Sequence, residues 1–174
     1  MHYFLTIGLW QKTNGISLGQ GKYAVNILNR LGMRECKVVA TPMELNLKLL
    51  NDASSESVDA MMYCHMIGSL MYLMNTRLDI CFAVNTLSQF LTDPRHVHLI
   101  ETKHIPRYMR DTVDYKLKYE ANQNINLEGY VDSNWVGSAI DRKSTSGYCF
   151  SMGSGVISWF RRKQSCVALS IAEA

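Results

Sequence analysis

The chain has 174 residues, a formal net charge of +3 and 47% hydrophobic residues, so it can bury a core and is not a disordered polar tail. That charge is too small to establish a nucleic-acid partner and does not exclude one. Five cysteines at long, irregular spacings (Cys36, Cys64, Cys81, Cys149, Cys166) form no CxxC pair, which argues against a disulfide framework or a zinc knuckle and for reduced thiols inside a cell.

The N-terminal string MHYFLTIGLW carries no Lys or Arg before its apolar stretch, which ends at Gln11 and Lys12. No small-x-small site follows it, so it does not read as a secretory signal. No apolar run reaches the ~20 residues that span a bilayer. The expectation is an intracellular chain, in cytoplasm or nucleus, with no membrane and no disulfide-linked partner.

Tyr3 to Trp10 is rich in aromatic and β-branched residues, and Asn14-Gly15 separates it from Ile16-Ser17-Leu18. Asn-Gly between apolar runs predicts one hairpin over Tyr3–Leu18. Tyr23, Ile27, Leu28 and Leu31 recur at helical spacing, and Gly32 stops that helix, predicted over Gln20–Leu31. Arg34 to Glu56 reads as a connector, with Thr41-Pro42 extended and a polar loop at Asn51–Ser55. The most apolar helix is predicted over Asp59–Met74 and a second over Leu78–Leu91. A third, over Arg95–Arg110, follows Asp93-Pro94 and carries Pro106, expected to kink it.

After Tyr115 the period becomes alternating. Short strands are predicted at Leu117–Tyr119, Leu127–Asp132, Gly147–Met152 and Val156–Phe160, the last two joined through Gly153-Ser154-Gly155, with Ser165–Leu169 a further candidate. Tyr130, Tyr148, Phe150, Ile157 and Trp159 are expected to share the inward face of that sheet. Ser170-Ile171-Ala172-Glu173 has capping-box spacing, as at a helix start. The fold class is α+β: a β-hairpin, a helical lobe, then an antiparallel meander. The seam falls in the polar stretch Asn122–Asn126, dividing the chain into 1–122 and 123–174.

Chemistry-bearing residues are sparse. Asp132 ends an apolar strand, where a carboxylate is either a turn residue or an oxygen ligand for Mg²⁺. Lys103, Arg107 and Arg110 lie three or four apart, hence on one helix face. Arg142-Lys143 sits in a charged turn. Arg161-Arg162-Lys163 follows Trp159-Phe160, and basic residues beside aromatics can grip a backbone and stack on bases. A solvated surface explains each basic group equally well. His96, His98 and His104 match no zinc spacing, no serine or cysteine sits in a GxSxG-like setting, and the ten methionines read as core filler.

Several strings then coincide in order with one family: HYFLTIGLWQ, GISLGQGKYAVNIL, ATPMELNLKLL, MIGSLMYLMNTRLDICFAVNTLSQF and GYVDSNWVGSAIDRKSTSGYCFSMGSGVISWFRRKQSCVALSIAEA. Over essentially its whole length the chain resembles the copia-type retrotransposon Pol polyprotein. The resemblance implies that the first string is the hairpin holding the primer terminus. It implies that Met66–Leu91 belongs to the helical thumb of a reverse transcriptase, with the connection after it. Leu127 onward would open a ribonuclease H domain, truncated here to its first strands.

The implied partners are a primer–template duplex and an RNA–DNA hybrid, and the implied cofactor is Mg²⁺. Of the four acidic residues of such a ribonuclease H, only Asp132 maps inside this chain, and Glu173 matches a neighbour of the second. The chain is therefore expected to be inactive by itself. Thr6 stands where the family usually has Gly, Gly8 where it has Glu, Leu78 where it has Pro, and Asn134 where it has Asp. Two other readings stay open at this point. One is a module that binds nucleic acid nonspecifically. The other is a secreted effector-like derivative, against which stand the absence of an Arg-x-Leu-Arg string and of a signal sequence.

Overall fold

The computed structural model describes residues 2–44, 55–121, 124–134, 143–165 and 167. In chain order these form β1 (His2–Phe4), β2 (Ile7–Lys12), β3 (Gly15–Gly19), α1 (Gly21–Arg30), α2 (Ala60–Leu73), α3 (Cys81–Leu87), α4 (His96–Asp111), β4 (Leu117–Glu120), β5 (Leu127–Asn134), β6 (Thr145–Met152) and β7 (Gly155–Lys163). The architecture is α+β with two antiparallel sheets. The chain divides into two compact units, one of Met1–Gln11 with Ser17–Leu117, the other of Lys12–Ile16 with Lys118–Ala174.

The first unit holds the apolar core. Tyr63, Met66, Ile67, Leu70 and Leu73 of α2 recur at three- and four-residue steps and are all buried. They meet Ala83, Val84 and Leu87 of α3, Ile105 and Met109 of α4, and Ala24 and Ile27 of α1. Burying a large aliphatic side chain contributes ~1.5–3 kcal/mol, so this stripe, rather than helix propensity, holds the lobe together.

Two helix ends fall where local chemistry dictates. Gly32 takes φ +63°, and the Gly32 and Met33 amides donate to Asn29 O and Leu28 O at 3.1 and 2.8 Å, closing α1 with a left-handed cap. At the start of α2, the Asp59 carboxylate accepts from the amides of Met61 and Met62 at 2.8 and 3.3 Å. Pro106 lies inside α4, which continues through it to Asp111.

Three expectations need correction. The single hairpin over Tyr3–Leu18 is two, because the chain turns at Leu5-Thr6 between the paired residues Phe4 and Ile7. Both turn residues have positive φ, +46° and +64°. Two-residue hairpins need this left-handed backbone, yet neither residue favours it. Tertiary bonds hold the turn: the Tyr72 hydroxyl donates to Leu5 O at 2.5 Å, and Gln20 Nε2 donates to Thr6 Oγ1 at 3.4 Å. Thr6→Gly should therefore raise stability by about 0.5–1 kcal/mol, since relief of left-handed strain exceeds the added chain entropy. Thermal melting should show a rise of ~1–4 °C, and a fall would contradict the strain argument.

The helix predicted over Leu78–Leu91 is present but is not α-helical throughout. Only Cys81–Leu87 is α-helical, with 3-10 turns at Leu78–Ile80 and Ser88–Phe90. Thr86 Oγ1 donates to Phe82 O and Ser88 Oγ to Asn85 O at 2.9 and 2.8 Å, and such side chains compete with the helix's own bonds.

The third correction concerns β4, which does not open the later meander. It is the fourth strand of the first sheet, in the order β1-β2-β3-β4. Gly15 permits this approach. A Cβ there would lie 2.1 Å from Tyr119 O, and the Ala121 amide donates to Asn14 O at 2.9 Å.

The second sheet has the order β5-β6-β7, with Gly153 at φ +59° in the tight turn between β6 and β7. Its register aligns Val131 with Tyr148 and Phe160, and Tyr130 with Cys149 and Trp159. Paired residues share a face, so Tyr148 and Phe150 lie on one side and Tyr130 and Trp159 on the other. The five aromatic and aliphatic residues expected on one inward face are thus divided between two. The pairing slips between Phe150 and Ser151, as at a β-bulge, and Ile157 falls at that irregularity. Among the described residues neither face is covered along β5, where Leu127, Tyr130 and Val131 are 68%, 62% and 78% exposed. The candidate strand Ser165–Leu169 and the capping-box string at Ser170 fall mostly or wholly outside the described residues.

Candidate nucleic-acid interface

Of the three basic residues expected on one face of α4, Lys103 is exposed, while Arg107 and Arg110 are half-buried. Arg107 Nε donates to Lys37 O at 3.0 Å, Arg110 donates to Cys36 O, and Arg110 approaches the Glu35 carboxylate at 3.6 Å. Both guanidinium groups of this face thus spend hydrogen bonds on the connector after α1. Sequence spacing placed the residues on the helix but could not show what stood opposite them.

In β7, alternation and register put Arg161 and Lys163 on the face of Tyr130 and Trp159, and Arg162 on the opposite face. Arg161 pairs across Gly147, which itself pairs with Asp132. The Arg161 side chain passes over Gly147, where an added Cβ would meet its Cγ at 3.7 Å. Asp132 is exposed on β5 and shares that face. Lys143 precedes β6, and Arg142 lies outside the described residues.

Among the described residues, no three His, Cys, Asp or Glu side chains converge as they would around a metal ion. A divalent cation in two-metal chemistry needs several carboxylates on one spot, and Asp132 is a single one. The described donor set therefore does not fit Mg²⁺. No disulfide joins the described cysteines Cys36, Cys64, Cys81 and Cys149. No helix among the described residues is long and apolar enough to cross a membrane.

Sequence reasoning missed a buried ionic cluster at Arg77. Its guanidinium grips both Asp79 carboxylate oxygens, with bonds of 2.7 to 3.2 Å, and donates to Thr112 O and Oγ1 at 2.9 and 2.7 Å. It lies against the rings of Tyr108 and Tyr115, 5.7 and 5.3 Å from their centroids. The Tyr108 hydroxyl donates to Asp79 Oδ2 at 2.9 Å. Burial, then the bond to Asp79 and the Asp79 charge, push the Tyr108 hydroxyl up to about 12. Burial raises the Asp79 carboxyl, but the Arg77 bonds and charge, with Tyr108, outweigh it and hold the group below its ordinary value. The signal available in sequence was an Arg-x-Asp pair between two apolar helices.

A second polar group lies inside the same lobe. Glu101 is 8% exposed, and its Oε2 has no hydrogen-bond partner among the described residues. Burial raises its carboxyl; His104 works against this and Glu44 adds to it. Between α1 and α2 an open groove of about 360 Å³ is lined by Ile27, Leu31, Met62 and Met66, with Arg30 and Asp59 at its rim.

No family model matches the chain, and no solved structure matches it. It is 35% identical over 173 residues to the uncharacterized mitochondrial protein AtMg00810 of Arabidopsis thaliana, covering 99% of this chain and 72% of that protein. It is 37% identical over all 174 residues to the retrovirus-related Pol polyprotein from transposon RE1 of the same plant, and spans 12% of that polyprotein. It is 42% identical over 112 residues to the secreted RxLR effector protein 161 of Plasmopara viticola, covering 64% of this chain and 79% of that protein. With relatives of this similarity along its whole length, the chain belongs to the copia-type retrotransposon Pol polyprotein family.

Proposed function

We propose that this chain is the piece of a Pol polyprotein that carries the primer-holding hairpin, the thumb and connection of a reverse transcriptase, and the opening strands of a ribonuclease H domain. The observation that carries this reading is the 37% identity with a transposon Pol polyprotein over every residue. The element order supports it: paired strands, a lobe of helices, then a separate antiparallel sheet with Asp132 on its first strand. The parent would handle a primer–template duplex and an RNA–DNA hybrid, inside the cell where those substrates form.

In this reading the chain's own task is to hold nucleic acid. Lys103, Arg107 and Arg110 on α4, Arg142 and Lys143 before β6, and Arg161, Arg162 and Lys163 on β7 supply the cations for backbone contacts. Such contacts release counterions, so binding weakens steeply with salt. Fluorescence anisotropy with a labelled RNA–DNA hybrid should give salt-dependent binding in the micromolar range. Gel assays with Mg²⁺ should show the hybrid uncut. Lack of hybrid binding at low salt would overturn the reading. Hybrid cleavage abolished by Asp132→Asn would overturn the part that makes the chain inactive alone.

A further inference from the structure

The polar stretch 122–126, expected as a linker, has a fixed point at each end. The Ala121 amide donates to Asn14 O at 2.9 Å, and the Gly153 amide donates to Asn126 O at 3.0 Å. Beside these, β4 and the turn between β6 and β7 hold each other directly. The Tyr119 hydroxyl donates to Val156 O at 2.6 Å, and the Glu120 amide donates to Ser154 Oγ at 2.7 Å. Lys12–Ile16, the end of β4 and the second sheet all belong to the same compact unit.

Two glycines make this fit possible. Gly15 has φ +147°, and an added Cβ would lie 2.1 Å from Tyr119 O. Gly155 is buried, and an added Cβ would come within 2.5 Å of the Tyr119 ring and 2.9 Å of Lys118 O. A glycine in a strand admits this close approach of another backbone. Burial of the ring raises the Tyr119 hydroxyl above its ordinary value, so at neutral pH it keeps the proton that it donates to Val156 O.

We infer that β4 is a joint rather than a tether, with Tyr119 as the positioning residue that fastens the second sheet to the tip of the β2–β3 hairpin. Parts of one chain joined by a polar linker move against each other by default. Here four hydrogen bonds and a ring seated on Gly155 replace that freedom with one arrangement. Tyr119 acts through Val156 and Gly155 rather than on a substrate. What the joint does for function rests on the Pol reading: the sheet that would take the hybrid keeps one orientation against the tip of the hairpin.

The test is measurement of backbone amide residual dipolar couplings by NMR on the full chain in dilute, monomeric solution. In wild type, the alignment tensor fitted to β5, β6 and β7 should reproduce the couplings of residues 12–16 and 118–121. Tyr119→Ala removes the ring and its hydroxyl bond, so the two sets should then need separate tensors. Tyr119→Phe leaves the ring on Gly155 and should keep part of the shared alignment. Gly155→Ala sets a methyl against the ring and should separate the sets with Tyr119 still present. Ser154→Ala lies on an exposed turn and removes only the bond from Glu120. It tests the joint even if the other variants disturb the sheet, and should scale down the second sheet's couplings less than Tyr119→Ala does. Amide chemical shifts of α2 and α4 should stay at their wild-type positions in every variant, which a general loss of stability would not allow. Separate tensors in wild type overturn the joint. So does a shared tensor that survives both Tyr119→Ala and Gly155→Ala. So does disruption of the sheet by Tyr119→Ala alone, with Gly155→Ala and Ser154→Ala matching wild type. The couplings need no nucleic acid, so a chain with one shared tensor that fails to bind an RNA–DNA hybrid overturns the Pol reading and leaves the joint standing.

Discussion

Arg77→Ala should lower stability by ~3 kcal/mol and melt the helical lobe roughly 6–12 °C earlier. Arg77 is only 3% exposed. Removing it leaves the Asp79 carboxylate without its counter-charge and Thr112 O, at the end of α4, without its donor. Breaking one side of a buried pair costs more than the pair contributes, because the stranded charge keeps its desolvation cost. Asp79 is partly open to solvent, which holds the loss near the lower end of the range for fully buried pairs. Arg77→Lys should recover only part of it, since one ammonium cannot span two carboxylate oxygens and Thr112 together. A double-mutant cycle with Asp79→Ala measures the coupling, and a coupling near zero would show that the cluster is not a functioning pair.

The same cluster sets an acid limit. The Asp79 carboxyl is lowered in the folded chain, so its contribution to stability is present above the unfolded carboxylate pKa of about 3.9 and is lost as pH falls through the folded value. Wild type should therefore lose stability more steeply below about pH 4 than Asp79→Asn. Equal slopes in urea unfolding at acid pH would contradict this.

Amide hydrogen exchange should separate the helical lobe from the second sheet by at least about a thousandfold. That ratio corresponds to ~4 kcal/mol of local opening free energy. The α2, α3 and α4 amides sit under a core in which Tyr63, Ile67, Leu70, Ile80, Leu87 and Ile105 are buried. In β5–β7 large apolar side chains are exposed on both faces, among them Val131, Tyr148 and Phe160 on one and Tyr130 on the other. Each such side chain forgoes ~1.5–3 kcal/mol of burial. Among the described strands β5 is an edge with apolar residues along it, a template for intermolecular pairing. The second sheet should therefore exchange fast in dilute monomer and become protected as concentration rises. Strong protection of Leu127–Lys163 in a monomeric sample would show that the sheet is stable without further cover.

The features legible in sequence were those with a local physical cause. Gly32 ends α1 because only glycine enters the left-handed cap without cost, and Asp59 starts α2 because its short carboxylate reaches two orphan amides. Apolar residues three and four apart located α1 and α2, Asp93-Pro94 located the start of α4, and Asn14-Gly15 and Gly153 located turns. Ordered strings such as MIGSLMYLMNTRLDICFAVNTLSQF pointed to the family. Of the candidate site, sequence supplied residue types and helix faces, and nothing of what lay opposite Arg107, Arg110 or Arg161.

The remaining features were decided by contacts between residues far apart in the chain. Leu5-Thr6 turns against its own propensity because Tyr72 and Gln20 hold it there. β4 joins the first sheet because Gly15 leaves room for its backbone. The period of a strand says that side chains alternate but not which set faces which neighbour, so only the pairing of Val131 with Tyr148 and Phe160 assigned the faces of the second sheet. In the sequence Arg77 and Asp79 are only an Arg-x-Asp pair. They became a buried lock because Thr112, Tyr108 and Tyr115 close over them, and that enclosure exists only in three dimensions.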